Sequence, residues 1–390
     1  MNSIYLDWAA TAPPDPEILE QSGRIARTHY ANPSAVHKAG REAERLLCEC
    51  RQRMAALLGC EPAEIVFTSG ATEANNMLLF SQLHKKRDHR ILISGIEHPS
   101  IDLPARTLKR LGFELAVVPA DSTGRIDPER IHDALDEHTT MVSVMTVNNE
   151  TGSIQPVREI ARAVREHEKR SGKKILLHTD AVQAFGKIPF SPYSLGVDGA
   201  SLSAHKIGGP RGVGALFVAK GRIAQVLYSG GGQENGLRPG TENLPGIFGF
   251  VLASEKAAVS LEANHRRAEQ AMGGLIERLA AIPDVVLNPA GRSGRGGFSP
   301  YILNFSIPPL PGEVLVRVLE EEELTLSTGS ACSSKKPDRF RVLENMGVPR
   351  KVAFSSLRLS IGPGIDSGPL NAVLKALERR LPGLRANIRD

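Results

Sequence analysis

Cysteine and aromatic residues are scarce: the 390 residues include 4 cysteines and 1 tryptophan, and aromatics make up 5%. Four cysteines in a chain this long do not make a disulfide scaffold. With 48 basic and 43 acidic residues the net charge is only +5. No basic stripe is interleaved with aromatics, so the sequence lacks the footprint of a nucleic-acid surface. The longest apolar runs, such as residues 246–253, fall far short of the roughly 20 residues that a membrane helix needs. Residues 1–7 hold no Lys or Arg and end on Asp7. No signal peptide is therefore expected, and the protein is expected to be soluble and cytoplasmic. The 37 glycines follow no triplet period, which excludes a collagen-like chain.

What is present is a globular balance, 41% hydrophobic and 23% charged. That apolar content is enough to offset ordering entropy, so the chain is not disordered. At roughly 150 residues per domain, 390 residues suggest two or three domains. Cys48 and Cys50 form a C-x-C pair within a helical pattern in which Ala43, Leu46, Leu47, Cys50, Met54, Leu57 and Leu58 share a face. Cys48 then lies about 200° around the helix from Cys50, so the two cannot chelate together. No metal site is expected there, and Cys60 reads as structural too.

β-rich and helical segments alternate. Strands are expected over 64–68, 90–94, 114–118, 141–147 and 174–179, and helices over 72–83, 100–111, 128–135 and 156–171. Such alternation argues for an α/β fold with a mostly parallel sheet covered by helices on both faces. The pattern breaks near residue 200, where strands over 199–203 and 215–218 flank a Gly/Pro-rich turn. A long helix over 245–282 leads to a smaller α+β unit. That unit has strands over 301–306, 324–327 and 357–361, helices over 312–321 and 339–346, and a basic terminal helix. The acidic run 320–323 reads as a solvated helix end.

Ligands of parallel sheets bind at the carboxyl ends of the strands, and polar groups fall there. Ser69, Gly70, Ala71, Thr72 and Glu73 lie between a strand and a helix. Small residues admit a ligand close to the backbone, and the helix N-terminus offers free N–H groups to an anion. Asp180 follows an apolar strand, where a carboxylate can pair with a protonated ring nitrogen; Gln183 comes one turn later. Lys206, in Ser203-Ala204-His205-Lys206, follows the strand 199–203 and is placed to form a Schiff base with a cofactor aldehyde. A pyridinium partner, a Schiff-base lysine and a phosphate cup are three needs of one cofactor, pyridoxal 5′-phosphate. His98 follows another strand and suits ring stacking and proton transfer. Asn149, in Asn148-Asn149-Glu150-Thr151-Gly152, suits a ring hydroxyl or a substrate carboxylate. Taken singly, each of these positions also reads as a helix cap, a loop or a surface residue.

From Leu6-Asp7-Trp8-Ala9-Ala10-Thr11 to Ser356-Leu357-Arg358-Leu359-Ser360-Ile361-Gly362, the motifs resemble those of NifS/IscS-type cysteine desulfurases of aminotransferase class V. The resemblance implies a fold-type I pyridoxal phosphate enzyme with a mostly parallel seven-stranded sheet. It implies a large domain over 16–255 and a smaller one formed by 1–15 and 256–390. Lys206 matches the cofactor lysine, Asp180 the pyridinium partner and His98 the residue stacked on the ring. Gln183 and Asn149 match residues near the ring hydroxyl, and Thr72, Ser203 and His205 match phosphate ligands, with Gly70 and Ala71 in the same cup. Thr241, in Arg238-Pro239-Gly240-Thr241, resembles a phosphate contact supplied by the partner subunit of a homodimer. Arg358 matches the arginine that grips the substrate carboxylate, which a guanidinium does bidentately. Cys332, in Ser327-Thr328-Gly329-Ser330-Ala331-Cys332-Ser333-Ser334, resembles the catalytic cysteine, and the adjacent Lys335 and Lys336 favour a thiolate.

The implied reaction converts L-cysteine to L-alanine, with sulfur leaving as a persulfide on Cys332 toward an acceptor such as an iron–sulfur scaffold protein. Two departures stand out. Gly208 occupies a place where the family often has an aromatic residue, and the chain ends at Asp390 without the longer tail that resembles a scaffold-docking element. A cysteine or selenocysteine lyase and a class V aminotransferase are the competing readings. Neither strictly needs Cys332.

Overall fold

The computed structural model describes residues 3–86, 88–222, 229–292, 296–329 and 340–386. Its strands are β1 Ile4–Tyr5, β2 Ile65–Thr68, β3 Arg90–Ser94, β4 Glu114–Val118, β5 Thr139–Ser143, β6 Leu176–Asp180, β7 Gly199–Ser203 and β8 Gly214–Val218, followed by β9 Val286–Asn288, β10 Ile302–Ser306, β11 Leu324–Thr325 and β12 Ser356–Ser360. Seven of them form one sheet in the order β2-β8-β7-β6-β5-β3-β4. Only β8 runs against the rest of that sheet, antiparallel to both β2 and β7. The break in alternation near residue 200 is this reversal. Strands β3, β5, β6 and β7 are almost entirely buried, as strands covered on both faces must be.

Several expected boundaries move. β6 ends on Asp180, so that carboxylate terminates the strand instead of following it. β5 stops at Ser143, although Val144 and Thr146 still donate to the carbonyls of His178 and Asp180 beside the sheet. The helix expected over 72–83 ends at Phe80 and gives way to a 3-10 turn, Ser81–His84. β11 is two residues long, and Ser327 joins Arg358 through an isolated bridge. The acidic run is a solvated helix end at Glu320, Glu321 and Glu323, but Glu322 is half-buried and pairs with Arg379 and Arg380, and Glu321 also pairs with Arg380. The basic terminal helix Ser367–Ala386 is thereby tied to the end of the helix Gly312–Glu321. The helix Pro16–Thr28 was not anticipated; Asp15 caps it and Pro16 opens it.

The helix Leu244–Ala280 links two apolar cores. Leu244, Ile247, Phe248, Phe250 and Val251 join one with Leu47, Met54 and Phe185. Met272, Leu275 and Leu279 join another with Leu6, Leu303, Phe305, Leu357 and Leu374. The helix is apolar enough to cross a membrane by length and composition, but its two apolar ends are buried within protein. Cys50 is buried on the face expected and its thiol is pushed up to about 12 by burial, while Cys48 is exposed.

The strand entering the phosphate-like turn is held by one ion pair. Glu234 accepts from both terminal nitrogens of Arg51, at 2.7 and 2.6 Å, and from the Phe67 amide at 2.7 Å. Its side chain is 1% exposed. Removing one partner of a buried pair strands the other, at about 3–5 kcal/mol. Glu234→Ala is therefore expected to lower the unfolding free energy by about 3 kcal/mol or more. Glu255→Ala, which breaks the partly exposed Arg53–Glu255 pair, should cost less than about 1 kcal/mol. Urea denaturation of the two variants checks the contrast.

Candidate active site

The carboxyl ends of β6 and β7, the turns after β2, β3 and β5, and an N-terminal strap converge on one cavity of about 500 Å³. It is lined by Gly70, Ala71, Thr72, His98, Asn149, Asp180, Gln183, Ser203, His205, Lys206 and Arg358. These positions span nearly 290 residues of sequence, from 70 to 358. Two expected residues are elsewhere. Thr241 is exposed and outside the cavity lining. Cys332 lies outside the described residues, although Gly329, three positions earlier, lines the cavity.

The anion cup is built from backbone. Gly70 stands at the N-cap of the helix Ala71–Phe80 with φ 154°, and no side chain caps the helix. That backbone region is open to glycine and not to residues with a Cβ. Behind it, a Cβ on Gly214 would meet the Leu202 carbonyl oxygen at 2.5 Å and the Gly70 Cα at 2.7 Å. Both glycines are needed for the turn to press against β8.

A hydrogen-bond chain runs from Asp180 to His98. Asn75 Nδ2 donates to Asp180 Oδ2 at 2.9 Å and to Ser100 Oγ at 2.8 Å. Ser100 Oγ lies 2.7 Å from His98 Nδ1, which also accepts from the Ser100 amide. The second carboxylate oxygen of Asp180 accepts from the Val182 amide at 3.0 Å. His98 is thus both a helix cap and a cavity wall. Burial holds its pKa below the ordinary value, with Asp180 opposing that and Lys206 adding to it. A neutral ring with Nδ1 engaged as acceptor carries its proton on Nε2. Asn75 was not anticipated; its only sequence signal is its place one turn after Ala71 on the same helix face.

Lys206 Nζ donates to the carbonyls of Ala9 and Ala10, each at 2.6 Å. His205 Nδ1 lies 3.0 Å from Thr11 Oγ1, and burial together with Lys206 brings its pKa down to about 4. Arg358 is 3% exposed and lies on β12. It donates to Asp7 Oδ1 at 2.8 Å and to the Asn149 carbonyl at 3.1 Å. Asp7 is a second residue that sequence reasoning left without a role, and Arg211 and Glu150 also line the cavity unforeseen.

Residues 4–367 match the aminotransferase class-V family. The chain belongs to that family. It is 39% identical over 386 residues to a protein of Dictyoglomus turgidum named cysteine desulfurase IscS, covering 98% of this chain and 95% of that one. Among solved structures, a NifS-like protein superposes with a TM-score of 0.89 at 36% identity, covering 97% of this chain and 99% of that one. A structure of SspA in complex with cysteine gives a TM-score of 0.76 at 30% identity, over 92% of this chain and 99% of that one.

Class V enzymes of this branch use pyridoxal 5′-phosphate, and the cavity fits it on its own chemistry. The helix N-terminus at Gly70 has no side-chain cap and so offers its N–H groups to a phosphate. Asp180 is a buried carboxylate with both oxygens held from one side, suited to a ring cation. Lys206 supplies an amine to the same lining. Among the described residues no group of three or more His, Cys, Asp or Glu is placed to hold a metal ion.

Glu150 is a second buried acid in the lining, besides Asp180. Burial pushes its pKa from 4.5 up to about 7, opposed by Arg358 and Arg341. Between those values the unfolded chain ionises Glu150 while the folded chain keeps it protonated. Stability from this group is therefore complete below about pH 4.5, falls as pH rises toward 7, and changes no further above it. Relative to Glu150→Gln, the wild type is expected to lose about 3 kcal/mol between pH 4.5 and 8. Urea unfolding of both proteins across that range measures the difference, and parallel pH curves would contradict it.

Proposed function

We propose that this chain is a cysteine desulfurase that converts L-cysteine to L-alanine and carries the sulfur as a persulfide on Cys332. The carrying observation is that Lys206, Asp180, His98 and Arg358 share one cavity with Gly329, the last described residue before the segment bearing Cys332. On the far side of that segment, Arg341 donates to the carbonyls of Gly95 and Glu97, next to His98. Both ends of the segment are thereby tied beside the site.

Pyridoxal 5′-phosphate, when bound, supplies an electron sink for charge developing at the substrate Cα. The residues do the rest. Arg358 grips the substrate carboxylate: Asp7 and the Asn149 carbonyl fix the guanidinium, and among the described residues its Nε–H has no partner. Lys206 removes the Cα proton, its amine steered by the carbonyls of Ala9 and Ala10. Asn75 and the Val182 amide hold the Asp180 carboxylate in one orientation. His98, neutral through burial, exchanges protons at Nε2. The Cys332 thiolate attacks the substrate sulfur; the S–S bond forms as Cβ–S breaks, and Cβ takes a proton to become the methyl of alanine.

We further read the protein as a cytoplasmic homodimer in which Thr241 serves the partner's site; its exposure away from this chain's own cavity supports that. The acceptor is a protein of iron–sulfur or other thio-cofactor assembly. The unit formed by residues 1–15 and 256–390 carries the cysteine segment.

Alanine and sulfane sulfur formed from L-cysteine with a reductant test the reading. Cys332→Ala should keep the visible absorbance of the lysine-bound cofactor and lose alanine formation by roughly two orders of magnitude or more. Full activity in that variant, or pyruvate in place of alanine, would sink the desulfurase reading in favour of a lyase.

A further inference from the structure

Lys187 is a buried ammonium that the chemistry above does not use. It is 8% exposed, and no carboxylate among the described residues pairs with it. Lys206 and Arg358 face it from the active-site side, and burial with those two charges brings its pKa down to about 7. His205 feels its charge as well. Its far side borders a second, largely apolar cavity of about 450 Å³, across which lie Asp15 and Lys256. These two are paired with each other at 2.5 Å. Lys187 thus lines the second cavity together with Lys206 and, among the described residues, has no anionic partner.

Among the described residues Lys187 makes one side-chain hydrogen bond, and it is specific. Nζ donates to Gln183 Oε1 at 2.6 Å, and Gln183 Nε2 donates to the Ala9 carbonyl at 3.0 Å. An ammonium has no acceptor and a carbonyl no donor. Both neighbours thus force the same orientation on the Gln183 amide, and the flip ambiguity that usually attends glutamine is removed. Gly186 makes the geometry: at φ 72° it reverses the chain, and a Cβ there would press on Ala257 and Ile207 at 3.0 Å each. That turn returns Lys187 to Gln183 one helical turn earlier.

With Oε1 committed to Lys187, the second Nε2–H of Gln183 is left for whatever occupies the active-site cavity that Gln183 lines. We propose that Lys187 is a positioning residue that locks Gln183 as a donor toward an anionic ring oxygen of the cofactor and places a positive charge behind Lys206. The proposal rests on the pyridoxal phosphate reading of the cavity. A fixed donor and a buried charge together favour the less protonated form of the lysine-bound cofactor.

The test is a pH titration of the visible absorbance of the holoenzyme, read without turnover. In Lys187→Met the midpoint should rise by about one unit, a tenfold change in proton affinity, because a cation has been removed beside a group that gains positive charge. Lys187→Arg keeps charge and donor and should stay near the wild-type midpoint. In a Gln183→Leu background, Lys187→Met should give a smaller rise than it does alone, since the amide it orients is gone. A Lys187→Met protein that holds cofactor and titrates as the wild type does would overturn the proposal. So would an equal rise in both backgrounds, which would leave the amide no part. If Lys187→Met does not hold cofactor, Lys187→Gln, which keeps a donor without the charge, decides: an unchanged midpoint overturns the role of the charge. A wild type with no visible cofactor band would overturn the cofactor reading itself, and the assignment with it.

Discussion

The site depends on a short strap, residues 7–12, laid across the carboxyl edge of the sheet. The Ala9 carbonyl accepts from both Lys206 and Gln183. Asp7 holds Arg358, and Thr11 meets His205. Three elements distant in sequence thus read their side-chain positions from one stretch of backbone. The strap is itself fixed at every step: Leu6 donates to the Thr325 carbonyl, Ala9 to Ser360 Oγ, and Ala12 to the His205 carbonyl. β1 adds a parallel pairing with β11. Because β11 and β12 belong to the same part of the chain as the cysteine segment, the strap joins that part to the carboxyl edge of the sheet where Lys206 waits.

Burial gives the strap its leverage. Inside a dry cavity an unpaired polar group is expensive, and a satisfied network is rigid. The Asp180–Asn75–Ser100–His98 chain is such a network, with Asn75 fully buried and only its Oδ1 lacking a partner. The same dryness sets the protonation states: Glu150 upward, His98 and His205 downward. The cavity lining holds three cationic side chains, Lys206, Arg358 and Arg211, together with the buried carboxylate of Asp180.

The fold was legible where periodicity and strand length agree. β3, β4 and β7 fall over the residues expected: β3 as a buried apolar run, β4 as a partly exposed edge strand and β7 as a buried run of small residues. Boundaries failed where tertiary contacts decide: β5 stops at Ser143 because the neighbouring backbone takes over pairing in an irregular way, and β11 shrinks because only β1 pairs with it. The site residues at strand ends were visible because polar residues after apolar strands break the pattern. Asp7, Asn75, Arg211 and Glu150 were not, since each lies in a segment that looks like an ordinary turn or helix face. Nothing in the sequence singles out Lys187. Its burial comes from the Gly186 reversal, whose consequence depends on the packing of Ala257 and Ile207 from remote parts of the chain.

The division of labour follows from which elements are rigid. Asp180 ends β6, Lys206 stands in the turn just after β7 and His98 caps a helix, each held by hydrogen bonds to its neighbours. Their geometry serves any chemistry that needs charge stabilised next to an amino group, which is why the class V family extends beyond one reaction. What selects sulfur removal has to come from outside that frame. Here it enters on a segment whose two flanks are tied differently. Gly329 packs against Asn304 and Glu150, where a Cβ would meet Asn304 Nδ2 at 2.9 Å, and Arg341 clips onto the backbone beside His98. The described flanks on either side of Cys332 are thus held to the cavity wall and to the turn that bears His98. On the function proposed above, the frame determines how the substrate is held and activated, and the cysteine carried between those flanks determines where the sulfur goes.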